Sequence, residues 1–381
     1  MMVRADGVRP YGRQESMNKL EIAREEISRI DEEMARLFEK RMEAARLVAE
    51  HKMEHGLPIL DAAREQALID RNSAFIRDAV IREYYVQFLR GTMDVSKGYQ
   101  QRLCQGLRVA YSGVEGAFAH ISAGRIFPTA QRLGFKDFRS AYEAVTNGTC
   151  DCAVLPIENS YNGEVGEVQD LMFFGSLHVN GVYELTITQN LIALPGADIG
   201  GIRQVFSHPQ ALGQCQGYIH DHGWRAVEYA NTALAAEHVA RLNDPTIAAI
   251  ASAETAELYG LQVLEANINE SRQNTTRFAV FSRAENRALG KRMGDHFILV
   301  FTSRNEAGSL AAALAVLGKD YGFNMRTLRS RPVKELLWEY YFYLEAEGDI
   351  FSEKGENLLR DMAPYCDRLK VVGTFSRHTT I

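Results

Sequence analysis

The stretch LEIAREEISRIDEEMARLFEKRMEAARLVAEHK, residues 20–52, contains neither proline nor glycine and reads as one long helix. Steps of four and three residues from Leu20 trace a seam of Leu20, Arg24, Ile27, Asp31, Met34, Phe38, Arg41, Ala45, Val48 and Lys52. A seam of that period faces a partner helix and excludes water. This one carries cations at Arg24, Arg41 and Lys52 and a carboxylate at Asp31, and a buried charge left unpaired is costly. Two compensations are open: ion pairs between helices, for instance with Asp31, or an anionic ligand held between them. Asp61, Arg64 and Glu65 follow at i, i+3 and i+4, a spacing that shares one helix face. Ser96 and Gln100, four apart, share a face of a third helix. Polar groups from three helices thus converge on one place, as a ligand site or as a salt-bridge network.

Around that stretch, residues 17–103 are rich in Glu, Arg, Ala, Met and Leu with one proline, Pro58, so the segment reads as helix throughout. A helix over 17–54 would extend roughly 55 Å, too long for a compact monomeric module, so a homodimer or higher homo-oligomer is expected. From 107 to 283, β-rich runs alternate with helical patterns. The strands expected are Arg108–Tyr111, Cys152–Pro156, Leu185–Leu194, Gln204–Phe206, Ile247–Ile250 and Arg277–Phe281, and the helices Ser140–Asn147, Ala211–His222 and Thr232–Leu242. A charged linker is expected at 284–293. Residues 294–381 then run strand, helix, strand, strand, helix, strand, the βαββαβ order of a ferredoxin-like domain, with strands at Leu337–Glu345 and Leu369–Phe375 closing it. The fold class is multidomain: an all-α module, an α/β module and a ferredoxin-like module.

Composition sets the outer limits. The net charge of −6 over 381 residues offers no basic field for nucleic acid. No apolar run approaches the roughly 20 residues that span a bilayer, so no membrane association is expected. Residues 1–16 are polar and read as a disordered extension, not a secretory signal. The five cysteines are odd in number and scattered, which fits reduced thiols in the cytoplasm. His220 and His222 have no acidic or cysteine partners at ligand spacing, so no metal is expected.

Residues 17–103 resemble the all-helical chorismate mutase family, with Arg24, Arg41, Lys52, Asp61, Arg64, Glu65, Ser96 and Gln100 each matching a polar position of its motif. The resemblance implies rearrangement of chorismate to prephenate, a pericyclic step that needs no cofactor. Its demands are a compact dianion and stabilised charge on the breaking ether oxygen. Arg24 and Arg41 suit carboxylates, Lys52 and Gln100 suit the ether oxygen, and Glu65 suits the substrate hydroxyl. Asp61 and Arg64 position the others, Ser96 supports a carboxylate, and in the family Arg24 serves the opposite protomer of an intertwined dimer.

Residues 107–283 carry further motifs: Tyr111 through Phe118, Pro156-Ile-Glu158-Asn159-Ser160, Ser207-His208-Pro-Gln210, Ala251-Ser252-Ala253 with Tyr259-Gly260-Leu261, and Asn274 through Phe278. Taken singly, each could be an ordinary cap or turn. Together they resemble the prephenate dehydratase family. That family implies two α/β lobes with a cleft between them, where prephenate loses carbon dioxide and water without a cofactor. By resemblance Thr276 is the acid and Arg277 and Asn274 bind substrate, while Asn159, Ser160, His208 and Gln210 line the cleft. Val114 replaces a usual proline, and Ala119 stands where a Ser or Thr is common.

Residues 294–381 resemble the ACT family, which often binds amino acids at domain interfaces. Gly308-Ser309-Leu310 matches its Gly-Ala-Leu turn, and Ser330-Arg331-Pro332 matches most of a Glu-Ser-Arg-Pro motif. The resemblance implies phenylalanine as effector, but Arg329 replaces the motif glutamate and reverses its sign. Two other readings remain: a dehydratase preferring arogenate, and a non-catalytic amino-acid sensor.

Overall fold

The computed structural model describes residues 19–271, 273–287, 295–304, 306–333, 339–376 and 379–381; the expected extension 1–16 and most of the expected linker lie outside these. The chain forms two compact units, Met1–Cys104 and Gln105–Ile381.

The first unit is three helices: α1 Lys19–His55, α2 Ala62–Ser73 and α3 Ala79–Gln105. Asp61 is the N-cap of α2, its side chain accepting from the Arg64 backbone N–H at 3.0 Å. Only the C-terminal part of α1 packs, burying Ala45 and Ala49, while Ile69, Leu89 and Met93 from the other two helices form a small core. The N-terminal half of α1, residues 19–40, is exposed throughout and carries Leu20, Ile27, Met34 and Phe38 with it. Pairs such as Glu26–Arg29 at 2.7 Å line that half, although exposed pairs of this kind contribute little to stability. An apolar stripe of this extent on a helix without packing marks an interaction surface.

The second unit contains two sheets. The smaller has the order Gln262–Glu265, Asn190–Ala193, Ile247–Ala251, Gln204–Ser207, Arg225–Glu228. The larger runs from Gln131–Phe135 through Arg108–Ser112, Cys152–Asn159, Thr275–Ser282, His178–Thr186, Cys366–Phe375, His296–Ser303 and Tyr340–Glu347 to Asn324–Pro332. The last four are the strands of the βαββαβ segment, whose helices are Ser309–Ala315 and Glu353–Met362. The sheet of this C-terminal segment continues the sheet of the α/β segment before it. The junction is the pairing of Gly373 with Val179, where any Cβ at Gly373 would collide with the Val179 carbonyl. Leu155, Met172 and Phe281 pack with Val300 and Tyr341 in one core, and Phe173 stacks on Tyr341 with ring centroids 4.3 Å apart.

Two expected elements are divided. The run Leu185–Leu194 splits into strands ending at Thr186 and beginning at Asn190, one in each sheet, because Ile187–Gln189 crosses between the lobes. The returning chain runs beside it: Ile187 N–H donates to Asn274 O at 2.7 Å, and Ile268 N–H to Gln189 O at 2.9 Å. The run Ala211–His222 becomes two helices, Pro209–Gln214 and Gln216–Asp221. Glu270 interrupts the helical ladder there, its N–H taking the Gln214 carbonyl and its carboxylate taking the Gly217 N–H. Three unexpected strands, Gln131–Phe135, Arg225–Glu228 and Gln262–Glu265, are polar edge strands with little buried surface.

Candidate active sites

In the helical unit a cavity of about 300 Å³ opens between the packed half of α1, the start of α2 and the end of α3. Seven of the eight expected residues line it: Arg41, Lys52, Asp61, Arg64, Glu65, Ser96 and Gln100. Arg24 does not; it stands on the exposed half of α1, about 26 Å from Arg41 along the axis at 1.5 Å per residue. The charged seam is not an ion-pair network. Arg41 donates to Ser96 Oγ and to Thr92 O, and Lys52 donates to Ile59 O. Among the described residues neither cation meets a carboxylate, and Asp31 lies on the exposed half. Burial pushes the Arg41 guanidinium below its ordinary value, the sign of a cation short of counter-charge. Gln100 is buried with Oε1 unpartnered among the described residues, and turning the amide would present its Nε2 donor at the same point.

Lys97 also lines this cavity and was not anticipated from the sequence. Its Nζ bridges Glu65 at 3.2 Å and Asp94 at 2.9 Å, and these partners raise it above the usual lysine range. Its position three residues before Gln100 was the available signal.

In the second unit a cavity of about 280 Å³ lies where the two sheets meet. Asn159, His208, Gln210, Asn274 and Thr276 line it, as expected. Ser160 does not: its Oγ donates to Gln273 O at 2.8 Å and accepts from Thr275 N–H at 2.9 Å, tying a loop to the strand beside it. Arg277 does not either. Side chains alternate along a strand, so Thr276 and Phe278 face the cleft and Arg277 faces away. Its guanidinium makes a bidentate pair with Glu345 at 2.9 and 3.0 Å and reaches Glu158 at 3.0 Å.

Without Arg277, no lysine or arginine lines the cleft among the described residues. Positive potential comes instead from three helix N-termini that open onto it: Phe118–Ile126 past Ala117, Pro209–Gln214 past His208, and Thr232–Leu242 past Asn231. Side chains cap one N–H at two of these ends, Gln210 by His208 and Leu234 by Asn231, and the N–H groups left over suit a dicarboxylate. Ala119 lies in the first of these turns, whose N-cap, Ala117, makes no side-chain hydrogen bond. Thr276 Oγ1 accepts from Asn159 Nδ2 at 2.9 Å, which leaves the threonine proton free to donate into the cleft.

Behind the cleft runs a row of alternating charges. Arg329 pairs with Glu158 and lies 3.8 Å from Glu164; Arg331 pairs with Glu164 at 2.9 Å and Asp170 at 3.3 Å. Burial would raise the Glu158 carboxyl, but Arg329 and Arg277 outweigh it and hold it below the usual carboxylate range. Gly166 permits this approach, since a Cβ there would collide with the Arg331 guanidinium. Ser330, on the opposite face of the same strand, lines a separate cavity of about 680 Å³ with Gly308, Leu310 and Tyr340. Gly308 opens the helix there at φ 88°, a conformation that favours glycine. Ser309 is buried in the first turn, and Pro332 ends the strand. The sign reversal at Arg329 therefore falls on Glu158, not on the cavity. Arg329→Glu should set a fourth carboxylate among Glu158, Glu164 and Glu345, destabilising the second unit by about 2–4 kcal/mol and lowering its melting temperature by roughly 5–10 °C. Thermal unfolding of the variant checks this, and an unchanged transition would refute it.

His222 stacks on Trp224 with centroids 4.4 Å apart, and the five cysteines form no disulfide among the described residues. No described helix is long and apolar enough to cross a membrane.

Comparison with known proteins gives these sites their setting. A chorismate mutase type II family model matches residues 23–101 and a prephenate dehydratase model matches residues 109–286. The bifunctional chorismate mutase/prephenate dehydratase of Enterobacter agglomerans is 32% identical over 96% of this chain and 97% of its own. Among solved structures, the prephenate dehydratase of Arthrobacter aurescens in complex with L-Phe is 26% identical, with a TM-score of 0.65 over 71% of this chain and 90% of its own. The quorum-quenching acylase GqqA is 28% identical, with the same TM-score over 71% of this chain and 97% of its own. With both models matching in order along one chain, and a relative of that identity spanning nearly all of it, this chain belongs to the bifunctional chorismate mutase/prephenate dehydratase family, an enzyme that joins an isomerase module to a carbon–oxygen lyase module.

Proposed function

We propose that the helical cavity turns chorismate into prephenate and that the cleft of the second unit turns prephenate into phenylpyruvate. The observation that carries the first step is the pair of uncompensated cations, Arg41 and Lys52, facing one cavity. Arg41 binds a carboxylate and is held by Ser96. Lys52 and Gln100 stabilise charge on the ether oxygen, and Glu65, anchored by Lys97, takes the hydroxyl. Asp61 and Arg64 shape the rim.

The exposed half of α1 packs against a second copy, which brings Arg24 to the partner's cavity and buries Leu20, Ile27 and Met34. In the cleft, Thr276 delivers a proton to the leaving hydroxyl while the helix N-termini hold the two carboxylates. The C–C bond to the ring carboxylate breaks, its electron pair enters the ring, and water and carbon dioxide depart. Neither step calls for a cofactor.

The C-terminal segment is a ferredoxin-like ACT domain, and phenylalanine binds its cavity at Gly308, Leu310 and Ser330. The L-Phe in the Arthrobacter aurescens structure supports that choice of effector. We place the protein in the cytoplasm, in keeping with its scattered, mostly buried cysteines.

Chorismate should disappear and phenylpyruvate should form without added cofactor; an unchanged chorismate absorbance would refute the mutase, and prephenate accumulation would refute the dehydratase. Arogenate as competing substrate tests the alternative preference. Phenylalanine should slow the dehydratase step and change the hydrodynamic size, because Arg329 faces away from the effector cavity. An unresponsive wild type would remove the regulatory role.

A further inference from the structure

A row of side-chain amides crosses the cleft from Asn159 to Gln189, and its hydrogen-bond polarity is fixed at one end. Asn159 Oδ1 accepts from the backbone N–H groups of Tyr161 at 3.0 Å and Asn162 at 2.9 Å. Backbone N–H groups only donate, so the oxygen and nitrogen of Asn159 cannot exchange places. Its Nδ2 must then be the donor to Thr276 Oγ1 and to Asn274 Oδ1, both at 2.9 Å.

The orientation propagates. With its oxygen engaged, Asn274 donates from Nδ2 to Gln214 Oε1 at 3.0 Å. The same Gln214 oxygen receives Gln189 Nε2 at 3.3 Å. Each amide is set by its neighbour, and the last, Gln189, is left with Oε1 as its unengaged atom.

Gln189 lines the cleft, is 3% exposed, and its Oε1 has no donor among the described residues. Its backbone is fully engaged in the crossing between lobes, the N–H donating to Asn269 Oδ1 at 3.1 Å and the carbonyl accepting from Ile268 N–H at 2.9 Å. The side chain is therefore held in place in the cleft wall with a buried, unsatisfied acceptor. Buried acceptors of this kind are normally satisfied, which points to a donor brought by a ligand.

We propose that Gln189 is a substrate-binding residue whose Oε1 accepts the hydrogen bond of the ring hydroxyl of prephenate, an inference that rests on the dehydratase reading above. The ligand chemistry selects that group. At neutral pH prephenate offers two carboxylates and a ketone, all acceptors, and a single donor, its ring hydroxyl. Helix N-termini and the Thr276 hydroxyl present donors to the acceptor groups. Gln189 offers the substrate's one donor an acceptor whose orientation is already set by its neighbours. Holding the hydroxyl hydrogen on Gln189 turns a lone pair of the same oxygen towards Thr276, the group that must protonate it as the carbon–oxygen bond breaks.

The test uses the full-length chain. Gln189→Met keeps length and bulk but removes the acceptor, and Gln189→Asn withdraws it by one methylene. Both should lose about 10–100-fold in kcat/KM for prephenate. Phenylpyruvate, which lacks the hydroxyl, should inhibit both variants competitively with affinity within about twofold of wild type, and mutase activity of the same preparations should be unchanged. Unaltered kcat/KM in both variants overturns the proposal. So does an equal loss in phenylpyruvate affinity, which would mean that Gln189 only shapes the cleft. Wild-type protein inert towards prephenate would instead overturn the dehydratase reading itself, and is recognised before any variant is made.

Discussion

Thr276→Ala is expected to lower dehydratase turnover by about 10²–10³-fold while leaving chorismate consumption at its wild-type rate, the range usual for loss of a positioned acid. A threonine hydroxyl is a weak acid in water, so its effect must come from placement. Asn159 Nδ2 occupies the Thr276 oxygen at 2.9 Å and so aims the proton away from the strand. Asn159 is itself fixed by two backbone N–H donors, so this aim survives small movements of the cleft. Serine should restore most of the activity, because it keeps the hydroxyl. Quenched assays of phenylpyruvate formation from prephenate decide the matter. Turnover in the alanine variant within about threefold of wild type would remove Thr276 from the chemistry.

Lys52→Ala should have the reciprocal effect, a loss of about 10²–10³-fold in mutase kcat/KM with dehydratase activity intact. Lys52 stands without a carboxylate partner beside the cavity, so its charge is available to the oxygen that becomes negative in the transition state. Removing it should cost little stability, since its protein contact is one carbonyl, Ile59 O. The melting profile should therefore hold while the rate falls. Arginine at this site should rescue poorly, because a planar fork does not occupy the position of a compact ammonium. A parallel fall of both activities in Lys52→Ala would mean that the two sites do not act independently.

The two variants also separate kinds of reasoning. At Lys52 the residue type and its spacing from Arg41 were enough to mark an anomaly, because helix period converts sequence distance directly into facing. Arg41, Ser96 and Gln100 share one cavity by the same rule, and Lys97, three residues before Gln100, falls beside them. On the strands the period is two, and one residue of displacement changes the face. Resemblance assigns Arg277 to substrate, yet its adjacency to Thr276 on the strand is what turns it to the opposite side. Ser160, in the turn after Asn159, leaves the cleft because its hydroxyl is engaged by the Gln273 carbonyl and the Thr275 N–H.

The charged helix seam, its break at Arg41 and Lys52, the α/β alternation and the βαββαβ order were all determined by the sequence alone, because local period and residue type suffice for each. Only the tertiary structure decided that the C-terminal strands extend the larger sheet, that Arg329 closes on Glu158 across more than 170 positions of chain, and that cleft polarity comes from helix ends instead of an arginine. Those depend on contacts between segments far apart in sequence, for which no local pattern holds a record. The charges in the seam of residues 20–52 called for either an ion-pair network or an anionic ligand; that Arg41 and Lys52 meet no carboxylate among the described residues could be seen only once the helices had been packed around them.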